Sequence, residues 1–369
     1  MALPLVRLEG TPYEQGLAHG EALRARIADN LAIYFERFAR EVGLARDEVL
    51  RRAARYAAQI AGRSPAYHEG MRGLAAGSGF AFEAIAALNV RYELFYDGYA
   101  EKPLPDGCTA FAILPEASAD GHLLIGENWD WIVGVQGAVL HTREPGGLET
   151  LAFSEAGIVG GKIGLNSRGV GLAINGLTSA EDDWARLRTP FHVRCYEILR
   201  APDLAAAAAV VSGEERSCST NFLLAGAPDA VVNIEAGPRG VALSRCADGC
   251  LVHANHFVDP AAAGVHERNV ENNRHSHWRH ARLAALLGRE RPVGRAALRA
   301  ALRDHDRHPY SVCFHVDPAD PPEERYATLT SAIIDLTART LELSDGPPCQ
   351  AEYVRYTFAQ AAPPARSLG

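Results

Sequence analysis

Near residue 104 the periodicity of this chain changes from helical to extended, and the change falls on a glycine–cysteine pair. Before it, Thr11-Pro12-Tyr13-Glu14 sets a cap residue, a first-turn proline and a glutamate at capping-box spacing. Apolar residues then recur at helical intervals through Leu17, Leu23, Ile27, Leu31, Tyr34, Phe35 and Phe38. Further helices are expected over 45–61, over 65–75, and from Phe82 through Val90 and Arg91. After residue 104, short apolar stretches alternate with turn signals at 108–114, 123–127, 138–143, 150–154, 157–165 and 169–175, and Asn166-Ser167-Arg168-Gly169 reads as a hairpin turn. Helical spacing returns at 189–213, divided at Pro202. Strands are expected at 220–225, 230–235, 241–245 and 250–254, a helical block at 275–303, and a closing hairpin at 326–335 and 339–343. That order suits sheets covered by helices, an α+β chain, and not alternating βαβ units.

Charge and cysteine usage narrow the function classes. The formal net charge of −8 argues against nucleic acid as a partner, since a phosphate-binding surface needs a basic excess. The Arg-rich segment 279–303, which includes Arg279, Arg282, Arg295 and Arg299, has the spacing of solvated helix faces. No apolar run approaches the ~18–20 residues of a membrane span, and the start of the chain lacks the pattern of a signal peptide. The seven cysteines are odd in number and scattered, which fits reduced thiols and a cytoplasmic location.

Gly107-Cys108-Thr109 opens the first extended run after a proline-bearing stretch, 101–106. A thiol needs a base to become a nucleophile, because a free cysteine titrates near ~8.5. An α-amino group titrates near ~7.7–8.0 and serves as that base if the cysteine becomes N-terminal. Cleavage between Gly107 and Cys108 would free such an amine, and glycine, lacking Cβ, tolerates the backbone geometry that brings the thiol to its carbonyl carbon. Taken alone, Cys108 reads more readily as a buried strand cysteine than as a nucleophile. Two further segments bear on it. Gly126-Glu127-Asn128-Trp129-Asp130-Trp131 places an amide, a carboxylate and two tryptophans just after a strand, and the carboxylate suits orientation of the amine. His253-Ala254-Asn255-His256 closes another strand, and an asparagine amide there suits an oxyanion donor.

On these residues the chain resembles the acyl-coenzyme A:6-aminopenicillanic acid acyltransferases, a branch of the N-terminal-nucleophile hydrolases. The resemblance runs through Tyr13-Glu14-Gln15-Gly16…His19-Gly20, Asn89-Val90-Arg91…Glu93, Asp106-Gly107-Cys108-Thr109, Gly126-Glu127-Asn128-Trp129-Asp130, Glu155-Ala156-Gly157, Gly169-Val170-Gly171…Asn175, His253-Ala254-Asn255-His256 and Ile333-Ile334-Asp335…Arg339. It implies a four-layer αββα sandwich of the N-terminal-nucleophile hydrolase type. It implies autoproteolysis at Gly107/Cys108, with a helical segment 1–107 retained as one subunit beside the catalytic segment 108–369, the two forming one αββα domain. Residue by residue, it implies Cys108 as nucleophile with its freed amine as base, Asp130 as the acidic partner, Asn255 as oxyanion donor and Arg339 as a supporting cation. Two positions depart from the family pattern. Ala110 stands where a second threonine is common, and Glu127 where a glutamine is common, adding charge near the site.

The resulting expectation is a cysteine amidohydrolase or acyltransferase working through a thioester on a small-molecule amide or acyl thioester, with Trp129, Asn128 and Asn175 on the substrate side. No cofactor and no metal are expected. The histidines between 253 and 280 lack a cysteine pair at zinc spacing, Cys246 and Cys250 fit zinc only loosely, and Cys195, Cys313 and Cys349 read as structural. Gly157–Ile163 lacks the placement and hydroxyl of a phosphate loop, and Ser217–Asn221 has no nucleophile elbow. Two other readings stay open on the residues: a binding protein that kept the fold without catalysis, and an unprocessed cysteine hydrolase with a histidine base.

Overall fold

The computed structural model describes residues 2–99, 107–267 and 274–359. The segment ahead of Gly107 that includes Asp106 lies outside the described residues. In chain order the elements are β1 (Leu5–Leu8), α1 (Pro12–Val42), α2 (Arg46–Arg63), α3 (Pro65–Ser78), α4 (Phe82–Asn89), α5 (Arg91–Tyr99), β2 (Thr109–Ile113), β3 (Leu124–Ile132), β4 (Gly137–Arg143), β5 (Glu149–Glu155), β6 (Ile163–Asn166) and β7 (Val170–Gly176). Then come α6 (Phe191–Arg200), α7 (Leu204–Ser212), β8 (Thr220–Gly226), β9 (Ala230–Ala236), β10 (Val241–Ser244), β11 (Cys250–His253), α8 (Pro260–Ala263), α9 (Arg274–Arg289), α10 (Arg295–Leu302), β12 (Tyr326–Asp335), β13 (Thr340–Ser344) and β14 (Tyr353–Thr357).

Among the described residues the strands form two sheets, in the orders β1-β4-β5-β6-β7-β8-β9-β10 and β11-β2-β3-β12-β13-β14. Every pairing is antiparallel except that of β1 with β4. β2 and β3 face β7, and β12 and β13 face β6, so the sheets stack face to face. α6 and α7 cover the outer side of the first sheet, and α9 lies over β11 and β2 with α10 beside it on the second. The layers are therefore α, β, β, α, the sandwich of the N-terminal-nucleophile hydrolase type. A second core, with Phe111, Ile113, Leu124 and Ile333 against Leu283, Leu287, Leu298 and Leu302, fixes α9 and α10 to the outer face of their sheet. This attachment brings α9 to the start of β2.

Local chemistry explains where the elements begin. Thr11 Oγ1 accepts from the Glu14 amide at 3.3 Å while Glu14 Oε2 accepts from the Thr11 amide at 2.7 Å, a complete capping box. α1 then meets α3 backbone to backbone, because a Cβ on Gly16 would collide with the Gly70 carbonyl.

The structure differs from the sequence reading in four places. β3 runs on through Ile132, so Asn128-Trp129-Asp130 lies within a strand rather than after one; both of its faces are buried, and the alternation that marks a half-exposed strand is missing. The helix from Phe82 breaks at Val90, where φ is −119°. Only Ile163–Asn166 of the 157–165 stretch is extended, since Gly157 and Gly160 turn the chain at φ +99° and +71°. The opening segment is not wholly helical, because β1 adds a parallel edge strand to the first sheet. β1, α8 and β14, at four or five residues each, are too short for periodicity to reveal.

Candidate active site

Cys108 sits at the entry to β2, where Thr109 pairs with Asn128 of β3. Its Sγ lies 3.6 Å from the Asp130 carbonyl oxygen. The thiol lines a narrow cleft with room for little more than water, together with Trp129, Asp130, Lys162, Ile174 and Asn255, and Tyr92, Tyr96 and Phe191 form its aromatic wall. Tyr92 stacks on Tyr96 at 3.7 Å and on Phe191 at 4.4 Å between ring centroids, which holds that wall rigid. Among the described residues lining the cavity none is a histidine. Gly107 packs directly on Asp130, and a Cβ there would collide with the Asp130 carboxylate. Glycine is required at this position by close approach.

The group that gathers the Gly107–Cys108 junction is Arg279 of α9. Its Nη1 donates to the Gly107 carbonyl at 2.6 Å, to the Cys108 carbonyl at 2.7 Å and to Thr109 Oγ1 at 2.8 Å, and its Nη2 donates to Asn255 Oδ1 at 3.0 Å. The guanidinium is completely buried. The Arg-rich segment read as solvated helix faces is thus wrong at this one residue. The readable signal is the spacing of the buried positions of α9, Ser276, Arg279, Leu283 and Leu287, which puts Arg279 on the apolar stripe. Asn255 is held by its backbone, whose amide donates to Ser276 Oγ at 2.7 Å, and its Nδ2 reaches the Gly176 carbonyl at 3.2 Å.

Asp130 and Asn128 are fixed from outside the sheet. Thr328 Oγ1 donates to Asp130 Oδ1 at 2.5 Å and accepts from the Phe314 amide at 2.9 Å. Asn128 Nδ2 donates to the carbonyls of Leu302 and Val312 at 2.9 and 2.8 Å, so Asn128 anchors a loop instead of lining the cavity. Trp129 does line it, and carries Lys162 Nζ 3.3 Å above its ring.

Lys162 belongs to a buried charge cluster that the sequence reading missed. Glu155 pairs with both Arg91 and Lys162, Arg91 Nε reaches Glu155 Oε2 at 2.9 Å, and Trp131 Nε1 donates to Tyr34 Oη at 2.8 Å beside them. Burial works against the Glu155 charge, but Arg91 and Lys162 outweigh it and hold the carboxyl well below its usual range. Burial pulls the Lys162 ammonium down to about 8 against the attraction of Glu155. Glu127 is also buried, and its pKa is pushed up to about 8 although the Ile174 amide donates to its Oε2 at 2.5 Å. Burial thus favours the protonated acid, close in shape and polarity to a glutamine, and works against the charge expected at this departure from the family pattern.

Two other expected site residues lie elsewhere. Asn175 Oδ1 accepts from Asn221 Nδ2 at 3.1 Å and meets His253 Nδ1 at 3.0 Å, while His253 Nε2 meets Glu235 at 2.8 Å, a polar network between the sheets next to the cavity but not part of its lining. Arg339 sits in the β12–β13 turn against Gly169. Asp130 pairs with Thr328 near the other end of β12, so the length of that strand separates Arg339 from Cys108. Arg279 occupies the position expected of a supporting cation.

The fold class is thus an αββα sandwich that carries a strand-entry cysteine with a buried guanidinium on the adjoining peptide. The chain belongs to the acyl-coenzyme A:6-aminopenicillanic acid acyl-transferase family, whose sequence profile matches residues 117–349. The matched segment begins after Cys108 and takes in Asp130, Asn255 and Arg279. The chain is 26% identical to the 40 kDa form of acyl-coenzyme A:6-aminopenicillanic-acid acyltransferase of Emericella nidulans, over 93% of this chain and 92% of that one. Among solved structures, a mutant of the conjugated bile acid hydrolase of Clostridium perfringens is 10% identical, covering 69% of this chain and 97% of its own, with a TM-score of 0.44. A second variant of the same hydrolase is 11% identical, covering 68% and 97%, with a TM-score of 0.42. No helix among the described residues is long and apolar enough to cross a membrane.

Proposed function

We propose that the chain cuts itself between Gly107 and Cys108 and then acts as an acyltransferase or amidohydrolase with Cys108 as its N-terminal nucleophile. The observation that carries this reading is the aim of Arg279 at the Gly107 carbonyl, 2.6 Å away. In self-cleavage, Cys108 Sγ attacks the Gly107 carbonyl carbon, the oxyanion forms opposite Nη1, and the C–N bond breaks as the thiol proton passes to nitrogen. Water then hydrolyses the thioester, leaving a Gly107 carboxylate, a free thiol and a free α-amine on the same cysteine. A buried donor in that position is worth far more to a developing charge than to a resting carbonyl.

In turnover, the freed amine takes the thiol proton, the thiolate attacks an acyl carbonyl, and the amine returns the proton to the leaving group. The absence of histidine among the described lining residues supports the amine, rather than an imidazole, as base. Asn255, held by Arg279 and bordering the cavity, suits the oxyanion of the incoming acyl group. Asp130, packed on Gly107, suits the orientation of the new amine. The aromatic wall suits an apolar or aromatic acyl group, delivered as a thioester or an amide. Residues 1–107 remain attached after cleavage, because α1 and β1 share the main core with the first sheet.

The test is acyl-enzyme trapping. The purified protein is quenched during turnover with a panel of acyl thioesters and amides, and the mass of the fragment beginning at Cys108 is read. An adduct on Cys108 is expected with at least one apolar acyl donor and is lost in Cys108→Ala. An active protein whose adduct maps to another residue would falsify the proposal.

A further inference from the structure

We propose that His305, Cys313, His315 and Cys349 form a structural zinc site. The sequence analysis expects no metal and gives Cys313 and Cys349 structural roles; it does not weigh His305 or His315, and the four residues are spread over two loops. The fold brings them together. His305, Cys313 and His315 lie between α10 and β12, and Cys349 lies between β13 and β14. One ligand atom from each falls within 4.8 Å of all the others.

Four of the six separations fit the edges of a small tetrahedron. His305 Nε2 lies 3.1 Å from His315 Nε2, and His315 Nε2 lies 3.5 Å from Cys313 Sγ and 3.3 Å from Cys349 Sγ. The two sulfurs are 3.6 Å apart, and both cysteines are free. With Zn–S near ~2.3 Å and Zn–N near ~2.0–2.1 Å, tetrahedral zinc places its ligand atoms about 3.4 Å (N to N), 3.6 Å (N to S) and 3.8 Å (S to S) apart. These four edges therefore lie within a few tenths of an ångström of a zinc tetrahedron, and His305 Nε2, within 4.8 Å of both sulfurs, closes on the ion by a small movement of an exposed side chain.

The loops are already held in this arrangement. Arg303 Nε donates to the Pro348 carbonyl at 2.7 Å, next to Cys349. The Cys313 amide donates to the Asp304 carbonyl at 3.0 Å, and the His315 amide to that of Pro309 at 2.9 Å. Cys313 is buried while His305 and Cys349 are exposed, which leaves an entry path for the ion. Two thiolates and two imidazoles complete a tetrahedron with no open position, so the site is structural and not catalytic. Binding one Zn²⁺ replaces the two thiol protons, which leave to solvent.

The position gives the metal a purpose. The same loop supplies the Val312 carbonyl to Asn128 and the Phe314 amide to Thr328, and Thr328 in turn holds Asp130. Zinc would brace the outer wall of the candidate active site.

The full chain, expressed with added zinc and purified under reducing conditions, is expected to carry one zinc per molecule by mass spectrometry of the metal. Cys349→Ser and His315→Ala lower that to background. Cys349 is exposed, so its variant is expected to keep the parental circular dichroism. As a second measurement, the chelated parental chain titrated with Co²⁺ gives the absorption of tetrahedral, thiolate-bound cobalt, and Cys349→Ser does not. The proposal is overturned if the parental chain holds only background zinc and shows no such cobalt spectrum, or if Cys349→Ser keeps a full equivalent of zinc. A Cys313–Cys349 disulfide in protein kept reduced overturns it as well.

Discussion

Replacing Arg279 with lysine keeps the positive charge and removes the fork. In the native chain one nitrogen, Nη1, serves the Gly107 and Cys108 carbonyls and Thr109 Oγ1, and the other, Nη2, serves Asn255. An ammonium is a single point of charge with three donors, so it cannot stand at both nitrogen positions. Whichever it leaves, either the Gly107 carbonyl or Asn255 loses a charge-assisted bond in a fully buried setting. Removing one preorganised oxyanion donor slows comparable reactions by ~10²–10³-fold, or ~3–4 kcal/mol of barrier. Self-cleavage of Arg279→Lys should slow by a similar factor. The assay is a time course of fragment formation by intact mass on freshly synthesised chain, beside circular dichroism to establish that the variant folds. A folded Arg279→Lys chain that cleaves at the parental rate would refute the role given to the guanidinium.

Other outcomes follow from the same geometry. Cys108→Ala should leave the chain folded but uncut and inactive, as read by electrophoresis and thioester turnover. Thr328→Val strips the bond to Asp130 and leaves the Phe314 amide without its acceptor, at about 1–3 kcal/mol for each buried group; the melting temperature should fall by several degrees and self-cleavage should slow. Glu127 bears on pH dependence. Its pKa is about 8 in the folded chain and ~4.3 when unfolded. Between those values the folded state binds the extra proton, so stability falls as pH rises through that window and the loss is complete above about 8. Glu127→Gln keeps the acceptor for Ile174 and removes the titration. It should match the parent near pH 4 and exceed it by a few kcal/mol at pH 9, and equal melting temperatures at pH 9 would contradict the burial argument.

What the sequence made legible was local. Thr11 and Glu14, the Asn166–Gly169 turn and the break at Pro202 each act within a few residues, and the structure carries all three. The two segments singled out with Cys108 do meet it, because β3 pairs with β2 and Asn255 follows the end of β11 on the other side of β2. The misses were long-range. Arg279 is one arginine among many on an Arg-rich segment, and only the sheet beneath α9 distinguishes it from its solvated neighbours. Lys162 hides in a turn whose glycines drew attention to phosphate chemistry, while its partners Glu155 and Arg91 come from β5 and α5. Arg339 is implied by the family resemblance alone, and the register of its hairpin carries it to the far end of the sandwich. The Cys313–Cys349 proximity depends on how two loops close, which no spacing rule encodes.

The central claim is that Cys108 becomes an amino terminus. Intact-mass measurement with N-terminal sequencing of the purified 369-residue chain tests it most directly. The account predicts two co-purifying fragments, one ending at Gly107 and one beginning at Cys108, and a single uncut chain for Cys108→Ala. An uncut parental chain that turns over acyl substrates would contradict it.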